Sequence, residues 1–287
     1  MLTLDEAWNS YLATRHLTQY GYLTDMSRYR VHLQNYWHGK GLTSIKTLDI
    51  QLYTNHLFAK GLSPQTVRLC LGQLRRIMRR AHRLGLLEGQ LPYFEMPPAD
   101  SVRYRYLEPD EATHLLQILG DLSQLWHDIA LLSLNTGMRA SEIFSLRGAN
   151  INIPQENIIL HKTKNLKQRI VPLNEVALDI IKEYRKRNSE LLFHQEGSSN
   201  KQFVKISKKF RKAVDLTGLN DGITDNRYRV VFHTLRHTFA SWLVQRGVSL
   251  QVVSNLLGHS SVRVTERYAH LAPEQGRNAL KFLPYIS

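Results

Sequence analysis

Residues 88-EGQLPYFEMPPADSVRYRYLEP-109 decide how the chain is organised. Four prolines fall in this stretch, and no helical period runs through it. Proline has no N–H to give to a helix or a ladder, so regular structure stops here. The stretch reads as an interdomain linker over 91–107, with one domain at 1–90 and a second at 108–287. A chain of 287 residues suits that division.

Upstream, the pattern is helical. The clearest piece is 63-SPQTVRLCLGQLRRIMRRAHRLG-85. Ser63 suits an N-cap, Pro64 sits where a helix accepts proline, and Gly85 suits the C-terminal turn. Val67, Leu71, Leu74, Met78 and Ala81 recur at spacings of four and three, which makes one apolar stripe. Off that stripe lie Arg68, Arg75, Arg76, Arg79, Arg80 and Arg83. A solvated charged face is the plain alternative. Like charges at i,i+4 repel, however, and no acid lies between Arg68 and Arg83. Phosphate contact accounts better for six arginines in this arrangement. Arg103 and Arg105, inside the linker, fit contact with the same polyanion.

The charge of the whole chain agrees. The formal net charge is +14, carried about equally by Met1–Tyr106 and by the remainder. Both parts are basic, as expected if both touch nucleic acid. The one cysteine, Cys70, excludes an intrachain disulfide and a Cys-rich zinc site. The N-terminal MLTLDEAWNS is not a secretory signal, and no apolar run reaches the ~18 residues of a membrane span. A cytoplasmic protein is expected, with no membrane partner.

Downstream of the linker, helices are expected near 109–119 and 122–135. Short apolar runs at 151–153, 157–162 and 168–173 predict a small three-stranded sheet. Helices are expected again near 174–188 and 201–216, then a polar loop at 219–232. Three short helices follow at 234–246, 249–257 and 262–269. The fold class is therefore mainly α with a small β-sheet, in two domains: a helical one and a mixed α/β one.

Five pieces of the second domain carry candidate chemistry. In 136-TGMRASEI-143, Gly137 permits a tight turn, and Arg139 and Glu142 share a helical face. Lys162, Lys164 and Lys167 lie at or near the tip of a hairpin. In 233-HTLRHTFAS-241, His233 and Arg236 share a face. His233 and His237 are four apart, which invites a zinc reading. The glutamate of H-E-x-x-H is missing and no third ligand is evident, so no metal is expected. In 256-LLGHSS-261, Gly258 ends a helix and presents His259. Finally, 264-VTERYAHLAPE-274 carries Tyr268.

Each piece alone has an ordinary structural explanation. The segments 249–257 and 262–269 also suit the two limbs of a helix-turn-helix in a noncatalytic DNA-binding regulator. The ordered set Arg, Lys, His-x-x-Arg, His, Tyr on a basic chain supplies every part for metal-free attack on a phosphodiester.

With these motifs the sequence resembles the tyrosine recombinases, the phage-integrase and Xer-like group, over nearly its whole length. The resemblance implies a helical core-binding domain and a catalytic domain that clamp DNA. It implies Arg139, Lys164, His233, Arg236 and His259 as catalytic residues, with Tyr268 as nucleophile. Lys164 follows from counting back from the R-x-V-P-L ending at 169–173. The chain opens on the first domain, so the additional arm-binding domain of some phage integrases is not expected in this sequence.

The chemistry suits these residue types. A covalent phosphotyrosyl link conserves the energy of the broken strand. A free phenol has a pKa near ~10, so Tyr268 needs local help. Arg139 and Arg236 answer charge on the phosphate oxygens with bidentate donors, and His259 adds another hydrogen bond. By the resemblance, Lys164 protonates the leaving 5′ oxygen and His233 assists proton transfer at Tyr268. Glu142 orients the site. No cofactor is implied, and no G-x-x-x-x-G-K-[ST] loop for ATP is present. The resemblance implies double-stranded DNA as the partner. The amphipathic 273-PEQGRNALKFLPYIS-287, whose Leu280, Phe282 and Leu283 want burial, can pack on its own domain; the resemblance implies instead that it docks on a neighbouring copy in a tetrameric synapse. Type IB topoisomerase-like strand relaxation is the competing enzymatic reading.

Overall fold

A computed structural model describes residues 2–13, 19–98, 103, 105–160, 168–186, 190–195 and 201–272. The chain forms two compact units, Met1–Ser101 and Val102–Ser287, which divide inside the expected linker.

The first unit is helical. Helices α1 (Leu4–Ala13), α2 (Gln19–Arg28), α3 (Asn35–Trp37), α4 (Thr47–Ala59) and α5 (Pro64–Arg83) make it up, with a π-helical turn Tyr29–Gln34 joining α2 to α3. At the head of α5 the Ser63 hydroxyl accepts from the Thr66 N–H at 3.3 Å, with Pro64 in the first turn. Past its end Gly85 has φ +71°, the left-handed turn expected of it. The expected stripe is the buried one: Val67, Leu71, Leu74, Met78 and Ala81 lie inside, joined by Cys70 and Ile77. They meet Leu4, Trp8, Tyr29, Leu33, Trp37 and Tyr53 in one core. Each such large apolar side chain contributes about 1.5–3 kcal/mol. Gln73, a buried polar residue of α5, is satisfied: it donates to the Asp25 carbonyl at 2.8 Å and accepts from Arg28 at 3.3 Å. Leu87 and Phe94 are buried in this core, and Leu91 and Met96 pack against it. The start of the proline-rich stretch is thus part of the first unit.

The second unit begins with α6 (Pro109–Leu122), α7 (Gln124–Thr136) and the short α8 (Ala140–Phe144). Strands β1 (Ile151–Asn152), β2 (Asn157–Leu160) and β3 (Arg169–Pro172) form an antiparallel sheet in that order. Ile158 pairs with Val171 and Leu160 with Arg169. This register sends Ile158, Leu160 and Val171 inward and leaves Ile170 exposed, the period-two pattern of a half-buried sheet. Then come α9 (Glu175–Arg185), α10 (Lys208–Leu216), α11 (Phe232–Gln245) and α12 (Leu250–Leu257). Helix α7 packs against α6, α9 and α11, with Leu115, Ile129, Leu132, Ile181 and Leu235 in the core.

Two expectations need correction. The helix expected over 201–216 begins only at Lys208. The Ser207 hydroxyl accepts from the Lys209 N–H at 3.1 Å and so caps the helix there, and Val204, upstream, is exposed. The helix expected at 262–269 is instead two 3₁₀ turns, Val262–Val264 and Glu266–Leu271. The second limb of a helix-turn-helix is therefore not an α-helix. Among the described residues no helix is long and apolar enough to cross a membrane. The expected docking segment 273–287 and the hairpin tip lie outside the described residues.

Candidate active site

The site is built where α7 and α12 end. Helix α7 stops at Gly137, whose φ is +63°. A Cβ there would lie 2.6 Å from the Phe239 ring and 2.8 Å from Leu257, so packing and backbone both require glycine. The Gly137 carbonyl accepts from Arg236 Nη1 at 2.6 Å, and the Leu257 carbonyl accepts from Nη2 at 2.7 Å. One guanidinium on α11 thus bridges the C-terminal ends of two other helices, where carbonyl dipoles favour a cation. Arg236 is buried. Burial first, then Arg139 and Arg169, lower its pKa to about 9.

Arg139 caps α8, and its partner is Glu142, as expected. Glu142 Oε1 accepts from Arg139 Nη1 at 2.9 Å. Its other oxygen accepts from the Arg139 N–H at 2.8 Å and from Arg169 Nη2 at 2.8 Å. Arg169 Nη1 also donates to the Leu256 carbonyl at 2.9 Å. Glu142 and Arg169 are both buried. This carboxylate orients two arginines at once. Burial draws the Arg169 pKa down, opposed by Glu142.

His259 follows Gly258, which has φ +63°. Its Nδ1 is 2.8 Å from the Thr265 hydroxyl, and Thr265 is fully buried. This bond ties α12 to the turn that carries Tyr268. Burial, then Arg236 and Arg139, push the His259 pKa down to about 3.

Tyr268 is 5% exposed. Its hydroxyl is 2.5 Å from Nδ1 of His237, which is also buried. His233 packs edge-on against the His237 ring, with centroids 4.8 Å apart. The phenol therefore hydrogen-bonds to His237, while His233 stands one ring further out. Burial raises the Tyr268 pKa to about 12, opposed by Arg267 and Arg236. Burial and then His233 bring the His237 pKa down to about 3. His233, lowered to about 4 by burial and then Arg236, has a solvent-exposed side chain. That open face argues for a smaller displacement than in its buried neighbour.

The structure thus brings Arg139, Glu142, His233, Arg236, His259 and Tyr268 into one unit. Lys164 lies outside the described residues, although Arg169, five residues on, is fixed at the site. Arg103 and Arg105 belong to this unit too. Arg103 donates to the Asn226 carbonyl at 2.8 Å, and Arg105 pairs with Glu111 at 2.5 Å. Part of their charge is thus answered internally. Arg169, His237 and Thr265 have contacts at the site and are not among the expected site residues. In the sequence Arg169 serves only to place Lys164, and His237 stands only as a candidate metal ligand. The presence of both in the quoted motifs was the available signal.

The site holds Arg139, Arg169 and Arg236 against one carboxylate, Glu142. Burial first, and then the positive charge of Arg236 and its neighbours, lower the pKa of His233, His237 and His259, and the excess of positive charge favours an anion.

The fold is that of the DNA-bound integrases. The solved Tn1549 transposon integrase, residues 82–397 in complex with a circular intermediate DNA, superposes with a TM-score of 0.79 at 18% identity, covering 99% of this chain and 100% of that one. The chain belongs to the phage integrase family, whose model matches residues 105–275. The integrase of Escherichia phage 186 is 29% identical over 233 residues, 79% of this chain and 62% of that protein. The tyrosine recombinase XerC of Treponema denticola is 29% identical over 261 residues, 83% of each. The chain thus spans less than two thirds of the length of the phage 186 integrase.

Proposed function

We propose that this chain is a site-specific DNA recombinase that cuts and rejoins strands through a 3′-phosphotyrosyl intermediate on Tyr268. The observation that carries the reading is the seat of Arg236. Its guanidinium is held between the Gly137 and Leu257 carbonyls, two residues from Arg139 and from His259 respectively. Three sequence motifs thereby converge on one cation beside the tyrosine.

In this reading Tyr268 Oη attacks the scissile phosphorus while the bond to the 5′ oxygen breaks. The phenol is protonated in the resting site, so its proton leaves as attack proceeds. His233 assists that transfer, and Lys164 supplies the proton to the departing 5′ oxygen. Both roles rest on motif similarity. Arg139 and Arg236 stabilise the nonbridging oxygens, and a preorganised donor of this kind is typically worth about 3 kcal/mol. His259, neutral at physiological pH, adds a hydrogen bond rather than a charge. Each chain carries one Tyr268, and exchange between two duplexes needs four strand cuts. Four copies on two DNA sites follow, linked through residues 273–287. The arginines of α5, with Arg103 and Arg105, contribute backbone contacts.

The test is a nicked suicide DNA duplex. The wild-type chain becomes covalently joined to the 3′ end, and Tyr268→Phe does not. An adduct formed by the Phe variant would refute the assignment. Relaxation of supercoiled DNA without exchange between paired sites would favour the topoisomerase-like reading.

A further inference from the structure

We propose that His237 is a positioning residue for Tyr268, holding the phenol hydroxyl withdrawn inside the protein until DNA seats. The inference rests on the reading of Tyr268 as the nucleophile. Three observations on this pair lead to it.

The first is space. The Tyr268 hydroxyl and His237 Nδ1 are 2.5 Å apart, and both residues are buried. The crevice over them is lined by Arg103, Arg105, Tyr106, Ser241, Arg267 and His270, and its volume is about 10 Å³. That is the room of roughly one water molecule. A phosphodiester with its four oxygens does not fit. A phosphodiester therefore does not reach the buried phenol through this crevice.

The second is the direction of the proton. His237 is held neutral, chiefly by burial and then by the His233, Arg267, Arg236 and Arg103 groups around it. The phenol is held protonated by burial. With the histidine down to about 3 and the phenol up to about 12, the proton stays on oxygen. His237 is thus a neutral hydrogen-bond partner for a stored phenol and not its general base.

The third is the build of the two elements. Tyr268 rides on a 3₁₀ turn, whose hydrogen-bond geometry is poorer than that of an α-helix. His237 sits in the first turns of α11, next in sequence to Arg236, and the His233 ring packs edge-on against it at an interplanar angle of 89°. The histidine sits in a long α-helix, while the segment bearing the phenol is the more easily displaced. The residue that holds the phenol and the arginine proposed to meet the phosphate are one backbone step apart, so a phosphate drawn to Arg236 arrives beside the stored hydroxyl.

The experiment measures single-turnover adduct formation on the nicked suicide duplex, at saturating DNA, with the full chain. His237→Leu removes the hydrogen-bond partner of the phenol. His237→Asn keeps a polar amide near the position of Nδ1. The expected result is a rate about tenfold higher for His237→Leu, the scale of one buried hydrogen bond. DNA affinity, measured with Tyr268→Phe added to each variant, stays unchanged, and His237→Asn returns the rate toward wild type. A folded His237→Leu chain that binds DNA but cleaves at the wild-type rate or more slowly overturns the proposal. If melting shows that His237→Leu is unfolded, His237→Ala takes its place with the same criteria. Tyr268→Phe in the same assay separates the two levels. An adduct there defeats the nucleophile assignment, whereas its absence together with an unchanged His237→Leu rate defeats only the role of His237.

Discussion

Arg169 fills the space that a side chain on Gly258 would need. A Cβ at residue 258 would lie 2.5 Å from Arg169 Cδ and 2.8 Å from its Nη1. Arg169 has little freedom to yield, because Glu142 and the Leu256 carbonyl hold its two terminal nitrogens. The φ of +63° at Gly258 adds backbone strain for any other residue. Gly258→Ala should therefore destabilise the chain by about 2–3 kcal/mol. Urea unfolding measures this, and a loss below about 0.5 kcal/mol would mean that the contact relaxes freely.

Glu142 separates stability from chemistry. Its carboxylate is buried between Arg139 and Arg169. Glu142→Ala leaves Arg169 buried without its counter-ion, which typically costs about 3–5 kcal/mol. Replacing both members, Glu142→Leu with Arg169→Met, removes the charges together and should recover most of that stability. Strand cleavage should stay about a hundredfold down in the double variant, because Arg139 has lost its orienting partner. Recovery of cleavage along with stability would show that the network is structural only.

Local physics made much of this architecture readable in the sequence. The stripe of α5, its Ser63 cap and the alternation of β2 and β3 each follow from a period or a cap within a few residues. The residues proposed to carry the chemistry are legible because they come in short motifs. Their mutual contacts are not. The bond between His237 and Tyr268 spans 31 residues and depends on how α11 meets a 3₁₀ turn. The role of Arg169 depends on Glu142, 27 residues earlier, and on a carbonyl 87 residues later. No periodicity encodes such pairings.

The neutral histidines predict a pH dependence of stability. An unfolded histidine has a pKa near 6.5, whereas His237 and His259 are each lowered to about 3 by burial first and then by neighbouring charge. Between those values the unfolded chain binds more protons, so stability rises with pH there. The contribution is complete above about pH 6.5 and is lost as pH falls toward 3. A fully buried histidine gives a slope of up to about 1.4 kcal/mol per pH unit in that window. His259, partly exposed, should give less than His237. Urea midpoints at pH 7.5, 6 and 5 for wild type and His237→Asn provide the comparison. The variant should show the shallower decline. Identical slopes would mean that His237 titrates normally in the folded chain.

The six arginines of α5 should not contribute equally to DNA binding. Arg68 donates to the Pro97 carbonyl at 2.8 Å, and Arg76 lies 3.5 Å from the Asp25 carboxylate. Their charges are partly engaged within the unit. Arg75 and Arg79 instead line a groove of about 680 Å³ with Lys46, Leu48 and Tyr93. Tyr93 is 70% exposed and Leu48 is 64% exposed, so this groove joins cationic, aromatic and apolar surface. A DNA backbone presents the matching phosphate and sugar. Arg75→Ala and Arg79→Ala should each weaken binding several-fold and reduce the slope of log affinity against log salt by about 0.9, the value for one lost phosphate contact. Arg76→Ala should change the slope by less than half as much and should lower stability through Asp25. Fluorescence anisotropy across a salt series distinguishes these cases. Equal slopes for Arg75→Ala and Arg76→Ala would show that the arginines act only as a diffuse positive field.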